Sequence, residues 1–255
     1  MPWISLIAAA IILWAASLIK ILQNSSSPSR VPFVDDVNSS TRKNVLLLTA
    51  HPDDESMFFV PVINYLISKG HNLHVLCMST GNAGGLGKVR RDEFYSAAAV
   101  LKISSRRVKI VEHPDLQDGF GKIWNPDHLA SIIDHEIRLH AIDLMITFDD
   151  YGVSGHCNHR DLHRGVRKLL QNNPGRNIEA WELVSRSILR KYIGPVDIWL
   201  SSLSLDGGKQ SLIPNVDPVK TYAAMAQHSS QWVWYRKLFV AFSSYTYCNT
   251  LKRIE

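Results

Sequence analysis

From Trp3 to Ile19 the chain is uncharged and almost wholly apolar, WISLIAAAIILWAASLI, and its first charge is Lys20, followed by Ile21 and Leu22. As a helix, about 20 residues rising ~1.5 Å each span roughly 30 Å, the hydrocarbon thickness of a bilayer. Residues 1–22 are therefore expected to anchor the chain in a membrane, with Lys20 reaching to the interface. A cleaved signal peptide would call for a basic leading region and a shorter apolar run. A buried core helix is the remaining alternative. Basic residues lie on the C-terminal side of the run, at Lys20, Arg30, Arg42 and Lys43. The positive-inside rule then places the C-terminal body in the cytoplasm. Residues 23–43, rich in Ser, Asn and Pro, read as a tether, with an extended segment lying on the body's surface as the equal alternative. Two sequons there, at Asn24 and Asn38, would carry glycans only if that side were luminal.

From Asn44 the pattern changes to short apolar runs alternating with amphipathic stretches. NVLLLTA (44–50), LHVLCMS (73–79), RVKIVE (107–112) and DLMITF (143–148) read as strands. Continuous rather than alternating hydrophobicity, as in the first of them, marks a strand covered on both faces. Between them, 55–69 with Gly70 as its stop, 90–101, 126–139 with Pro126 at its start, and 159–170 read as helices. Strands alternating with helices at this spacing predict an α/β fold with a mainly parallel sheet, which takes ligands at the carboxyl ends of its strands. After Asn172 the pattern blurs: EAWELVS and GPVDIWL suggest further strands, and 217–242 one or two helices. Residues 44–255 are expected to form one catalytic domain with no internal repeat.

The chain has 255 residues, of which 45% are hydrophobic and 20% charged. That composition excludes a disordered, collagen-like or polytopic membrane chain. With 28 Lys and Arg against 23 Asp and Glu the net charge is +5, ordinary solubilising charge compatible with an anionic partner. No nucleic-acid partner is expected. Cys77, Cys157 and Cys248 form no disulfide or zinc-finger spacing.

Two loops carry the chemistry. Ala50-His51-Pro52-Asp53-Asp54-Glu55 leaves the first strand with one imidazole and three carboxylates. Like charges this close call for a cation or hydrogen-bond donors. A helix N-terminus would also accept such acids, and Glu55 is assigned to capping or structure. Gly152-Val153-Ser154-Gly155-His156-Cys157-Asn158-His159-Arg160-Asp161 leaves the fourth strand, with His163 beyond it. His51, Asp54 and one histidine of the second loop make a two-His, one-carboxylate set of the catalytic zinc type. Asp53 is then placed to take a proton from water. The spare histidine would stabilise an oxyanion or protonate a leaving amine. Together these describe metal-assisted hydrolysis of an amide.

These two motifs, in this order, resemble those of the PIG-L-type (LmbE-like) de-N-acetylases, and TFDDYGVSGHCNH with the N-terminal anchor resembles the family's eukaryotic branch. The resemblance extends to about Leu251. It implies a Rossmann-like fold, Zn2+ as cofactor, and removal of acetate from the glycolipid GlcNAc-phosphatidylinositol, the second step of GPI-anchor synthesis. It also implies a single-pass protein of the endoplasmic reticulum membrane with a cytoplasmic catalytic domain. His51, Asp54 and His159 match the family's metal ligands, Asp53 its general base, and His156 the histidine that assists the tetrahedral intermediate. Arg90, with Arg91 as a near-equal alternative, matches an arginine of the substrate pocket and would hold phosphate. Asp118 matches an aspartate that contacts the sugar. Cys157 is read as filler. The Gly-rich stretch 80–87 is a rim or a phosphate-contacting loop but lacks dinucleotide spacing. The segment 228–237, HSSQWVWYRK, reads as a packed helix, its aromatics and bases also suiting a membrane interface. A deacetylase of another N-acetyl amino-sugar conjugate, or a tethered binding protein without turnover, are the competing readings.

Overall fold

The computed structural model describes residues 2–23, 42–176, 178–205 and 209–255. Most of the expected tether, including Asn24 and Asn38, lies outside the described residues.

Among the described residues seven strands form one sheet: β1 (Asn44–Thr49), β2 (Asn72–Cys77), β3 (Val108–Ile110), β4 (Leu144–Phe148), β5 (Glu179–Leu183), β6 (Gln210–Pro214) and β7 (Cys248–Arg253). Their order is β3-β2-β1-β4-β5-β7-β6. β1 to β5 run parallel, with Thr49 opposite Cys77 and Leu47 opposite Ile146, and β7 alone opposes its neighbours. The expected mainly parallel α/β sheet is therefore present. Its central strands are mostly apolar because helices cover both faces. Val45, Leu46, Leu47 and Leu48 are buried along β1, and Leu144 to Phe148 along β4. Each such side chain contributes about 1.5–3 kcal/mol of transfer free energy.

The helices packed around the sheet are α2 (Asp54–Phe58), α3 (Val60–Ser68), α4 (Gly87–Val100), α5 (Pro126–His140), α6 (Gly152–Gly155), α7 (Cys157–Asn172), α8 (Ile188–Lys191), α9 (Asp197–Leu203), α10 (Pro218–Met225), α11 (Trp234–Phe242) and α12 (Ser244–Tyr247). α5 packs on α7, whereas α3 packs on β2, β6 and β7. Right-handed crossovers on either side of β1 and β4 place these two sets on opposite faces.

Two readings of the sequence are corrected. The single helix expected over 55–69 is broken at Phe59 (φ −114°, ψ 2°), because Pro61 sits in the first turn of α3 and cannot continue the ladder of α2. GPVDIWL is helical rather than extended. Pro195 opens a short turn and α9 follows, with the buried Asp197 carboxylate accepting from Ser201 Oγ (2.8 Å) one turn on and facing Arg186 Nε (3.0 Å). The segment 217–242 resolves into two helices, α10 and α11.

The N-terminal run forms α1 (Pro2–Gln23), long and apolar enough to cross a membrane. Most of it is exposed, but one stripe packs on the body. Trp14 meets Tyr247 edge-on with ring centroids 5.9 Å apart. Ser17 Oγ accepts from Trp199 Nε1 (3.0 Å), Lys20 Nζ lies 3.5 Å over the Trp199 ring, and Ile21 is buried against Ile198 and Tyr247.

Candidate metal and catalytic site

β1 and β4 are neighbours, yet the chain leaves β1 towards β2 and β4 towards β5, so a crevice opens beyond their carboxyl ends. Both motif loops descend into it. Asp54 opens α2, and its Oδ2 accepts from the backbone N–H of Ala50 (2.9 Å) and of His51 (2.8 Å). Its Oδ1 is left facing His159 Nε2 at 3.2 Å. Asp53, just before it, holds φ 122° and ψ −22°, a backbone conformation that side chains other than glycine rarely adopt.

The second loop has its own constraints. Asp149 at the end of β4 accepts from the backbone N–H of Gly152 (2.9 Å) and of Ser185 (2.6 Å). Gly152 has φ +64°, and a Cβ there would sit 2.6 Å from the His159 Cβ, so only glycine lets the turn close over this histidine. His159 then projects from the first turn of α7, stacked on Phe148 with centroids 4.0 Å apart. Its Nδ1 meets the Gly152 carbonyl at 3.0 Å, and its buried Nε2 has no hydrogen-bond partner. His51 shows the same polarity. Its Nε2 faces Asp118 Oδ1 (3.1 Å) and Asn158 Oδ1 (3.1 Å), and its Nδ1 is turned to Asp54 Oδ2 at 3.7 Å. In each ring one nitrogen is fixed by an oxygen partner and the other is turned towards Asp54, the arrangement by which outer partners orient metal-binding histidines. One ligand atom from each of His51, His156 and His159 lies within 4.8 Å of the others. These imidazoles, with Asp54 Oδ1 3.2 Å from the orphaned His159 Nε2, make a donor set that fits a divalent metal ion.

His156 caps the N-terminus of α7, its Nδ1 accepting from the Asn158 N–H (3.3 Å). The neutral ring therefore carries its proton on Nε2. Burial, then the charges of His51 and His159, push its pKa down to about 4. Burial alone would lower His51 too, but its bond to Asp118 and the charges of Asp54, Asp118 and Asp53 outweigh this and raise it. Burial alone would raise Asp54, yet His159 and His51 hold it well below the usual carboxylate range. Asp118 is likewise lowered, burial being outweighed by His51 and Arg90.

The structure separates the two candidate arginines. Arg91 faces solvent and pairs with Glu112. Arg90 is buried in the site. Its Nη1 donates to the Gly81 carbonyl (2.8 Å) and Asp118 (3.3 Å), and its Nη2 donates to the Pro52 carbonyl (2.7 Å) and faces Asp53 (3.4 Å). The Nη donors are thus directed at protein, and the Gly-rich stretch serves as one of their acceptors. The guanidinium ties the loops after β1, β2 and β3 together. Removing one partner of a buried charge network costs about 3–5 kcal/mol. Arg90→Ala is expected to lose that much in urea unfolding, whereas Arg91→Ala stays within about 0.5 kcal/mol.

Glu55 is structural, as expected from the sequence. It accepts from Asp53 N (3.1 Å) and Ser56 Oγ (2.6 Å), and meets the buried His228 Nε2 at 2.6 Å. Cys157 Sγ donates to the Gly119 carbonyl at 3.4 Å. Three contributors escape the sequence reading. Asn158 bridges His51 and the Lys122 carbonyl (2.8 Å), Asp149 shapes the second loop, and Arg236 of α11 reaches in to pair with Asp53. Asn158 lies inside the quoted second motif and Asp149 just before it, but nothing in the spacing ties Arg236 to a residue so far away in the chain.

Residues 46–170 match the family model described as PIG-L: GlcNAc-PI de-N-acetylase. A Bos taurus protein named N-acetylglucosaminyl-phosphatidylinositol de-N-acetylase is 37% identical over 207 residues, covering 81% of each chain. The chain belongs to the PIG-L de-N-acetylase family. A Dictyostelium discoideum protein named "Probable N-acetylglucosaminyl-phosphatidylinositol de-N-acetylase" is 34% identical over 250 residues, 87% of this chain and 97% of that one. Among solved structures, the N,N'-diacetylchitobiose deacetylase of Pyrococcus horikoshii superposes with a TM-score of 0.62 at 14% identity, covering 92% of this chain and 91% of that one. This likeness shows the PIG-L fold, a mostly parallel sheet with flanking helices, and nothing finer.

Proposed function

We propose that this PIG-L family member is an amidohydrolase that removes the N-acetyl group of GlcNAc-phosphatidylinositol, giving GlcN-phosphatidylinositol and acetate in GPI-anchor biosynthesis. The observation that carries the reading is the meeting of His51, Asp54, His156 and His159 at one strand switch, in a chain whose relatives bearing that name align over most of its length.

His51, Asp54 and His159 would hold the metal, with zinc the ion best suited to two imidazoles and a carboxylate. Such an ion, when bound, supplies Lewis acidity that acidifies water and polarises a carbonyl. Asp118, Asn158 and the Gly152 carbonyl keep the two imidazoles turned the right way. Asp53 accepts the proton of the attacking water and passes it towards the departing amine. Arg90 and Arg236 hold that carboxylate at its edge of the crevice. His156 is neutral near pH 7, with its proton on Nε2, so it donates a hydrogen bond to the developing oxyanion rather than a full proton. The part-exposed Asp118 edge is left for a sugar hydroxyl. With Arg90 committed to protein, the phosphate falls to Arg236, which is more open to solvent.

The deciding experiment is acetate release from GlcNAc-phosphatidylinositol by the full chain before and after chelation. Release should stop on chelation and return with zinc or another divalent ion. Absence of release with metal supplied would overturn the assignment.

The same reading places α1 across the endoplasmic reticulum membrane, once, with the body in the cytoplasm. Asn24 and Asn38 should then remain unmodified in cells, and an endoglycosidase-sensitive mass shift would reverse the orientation.

A further inference from the structure

The sequence reads 228–237 as an ordinary packed helix; in the structure α11 begins only at Trp234, buries Val240, and leaves a second apolar stripe exposed. Its inward side carries Arg236, paired with Asp53, and Phe239, whose ring meets Phe58 (5.8 Å) and Tyr192 (6.1 Å). Its outward stripe is Trp234, Leu238 and Phe242, spaced four apart and exposed by 72%, 50% and 49%. A surface helix ordinarily turns polar residues to water. The neighbouring short helices likewise expose apolar residues, Ile188 and Leu189 of α8 and Leu200 and Leu203 of α9. α9 also carries Trp199, which binds Ser17 and Lys20 of α1. The exposed apolar surface of α8, α9 and α11 is therefore continuous with α1. A patch of this kind marks an interaction surface.

The depth of α1 says what covers it. If α1 spans a bilayer with Gln23 at one interface, Trp14, nine residues earlier, lies about 13 Å deeper. Yet Trp14 touches Tyr247, and Ser17 and Ile21 touch α9. The body cannot make these contacts while standing off in water. Lys20 and the exposed Lys237 flank the patch where anionic headgroups would be. A cavity of about 590 Å³, lined by Asp149, Tyr151, Ser185, Ile188 and Tyr192, lies between the β4–α7 loop and α8. Its lining includes Ser154 of the loop that carries His156 and His159.

We propose that the outward faces of α8, α9 and α11 are seated in the bilayer that α1 enters, so that the mouth of the site opens at headgroup depth. The enzyme then takes a diacyl lipid whose chains stay in the membrane. This rests on the reading of α1 as a membrane span and of the substrate as a phosphoinositide glycolipid.

The test uses the full chain in phosphatidylcholine nanodiscs with brominated acyl chains, which quench tryptophan only at hydrocarbon depth. The conservative Trp234→Phe variant should remove a distinct share of the quenched emission. Identical quenching in the two proteins, at unchanged thermal stability, would overturn the proposal. A second arm compares Leu203→Glu and Leu238→Glu with Leu139→Glu. Leu139 lies near the end of α5, just before β4 begins, and so at the opposite end of the sheet. The first two should lower kcat/KM on vesicle-borne GlcNAc-phosphatidylinositol by about tenfold or more, and leave the acyl-free GlcNAc-inositol phosphate within about twofold. Leu139→Glu should change neither. Equal losses on both substrates, or a homodimer sealed through Leu238 in cross-linking, would also overturn the proposal. Quenching reads no turnover, so a failed hydrolase assignment would leave that arm standing.

Discussion

Asp53→Asn is expected to lower kcat/KM for acetate release by about 10²–10⁴-fold, the usual contribution of a positioned general base, while the metal content of the purified protein stays at the wild-type value. Asparagine is the cleaner substitution for two reasons. Asp53 holds a positive φ of 122°, which Asn tolerates better than Ala. Asp53 also lies against Arg90 and Arg236, and an alanine would leave both cations facing an empty space. Asn keeps an oxygen for them to bond while losing basicity. Metal analysis by mass spectrometry beside steady-state kinetics separates the outcomes. A loss of metal equal to that of His51→Ala would make Asp53 a ligand and remove it as the base.

His159→Ala is expected to lose both metal and turnover. Removing only an outer partner of a metal-binding histidine costs about 10–100-fold in affinity, so removing the ligand itself should exceed that. The fold should survive, because His159 stacks on Phe148 at the rim of the crevice and Phe148 has Phe58 and Phe59 as further ring neighbours. His156→Ala provides the contrast. Its ring caps α7 and lies nearer the mouth, so metal should be retained while kcat falls. If His156→Ala instead emptied the site, the ligand set would be the three histidines and Asp54 would be their orienting partner.

The parallel half of the sheet is legible because burial on both faces writes itself as continuous apolar runs, most plainly in β1 and β4. β6 and β7 carry no such mark. β7 buries Asn249 and Thr250 among its core positions, and Asn249 exists there to accept from Val62 N (3.2 Å) and donate to the Phe58 carbonyl (2.8 Å). A polar residue that serves distant backbone looks in sequence like a loop residue. GPVDIWL misleads for a related reason: a short apolar run does not fix its own period, and the helix is set by Pro195 and by the Asp197–Arg186 pair.

The site is legible where it is local. His51, Asp53 and Asp54 fall within one turn, and His156 and His159 within another, so spacing alone brings them close. That Arg90 is committed to carbonyls of two other loops is invisible, since its acceptors at Pro52 and Gly81 are backbone oxygens without a residue signature. The reach of Arg236 to Asp53 depends on how α11 docks, which only the assembled body decides.

The place of β7 has a consequence for how the protein is made. Among the described residues β6 pairs with β7 alone, and β7 lies between β6 and β5. During translation β6 therefore emerges before β7, the neighbour it pairs with, and one edge of β5 stays open meanwhile. Such late, long-range pairing is slow and leaves edges free to associate with other chains.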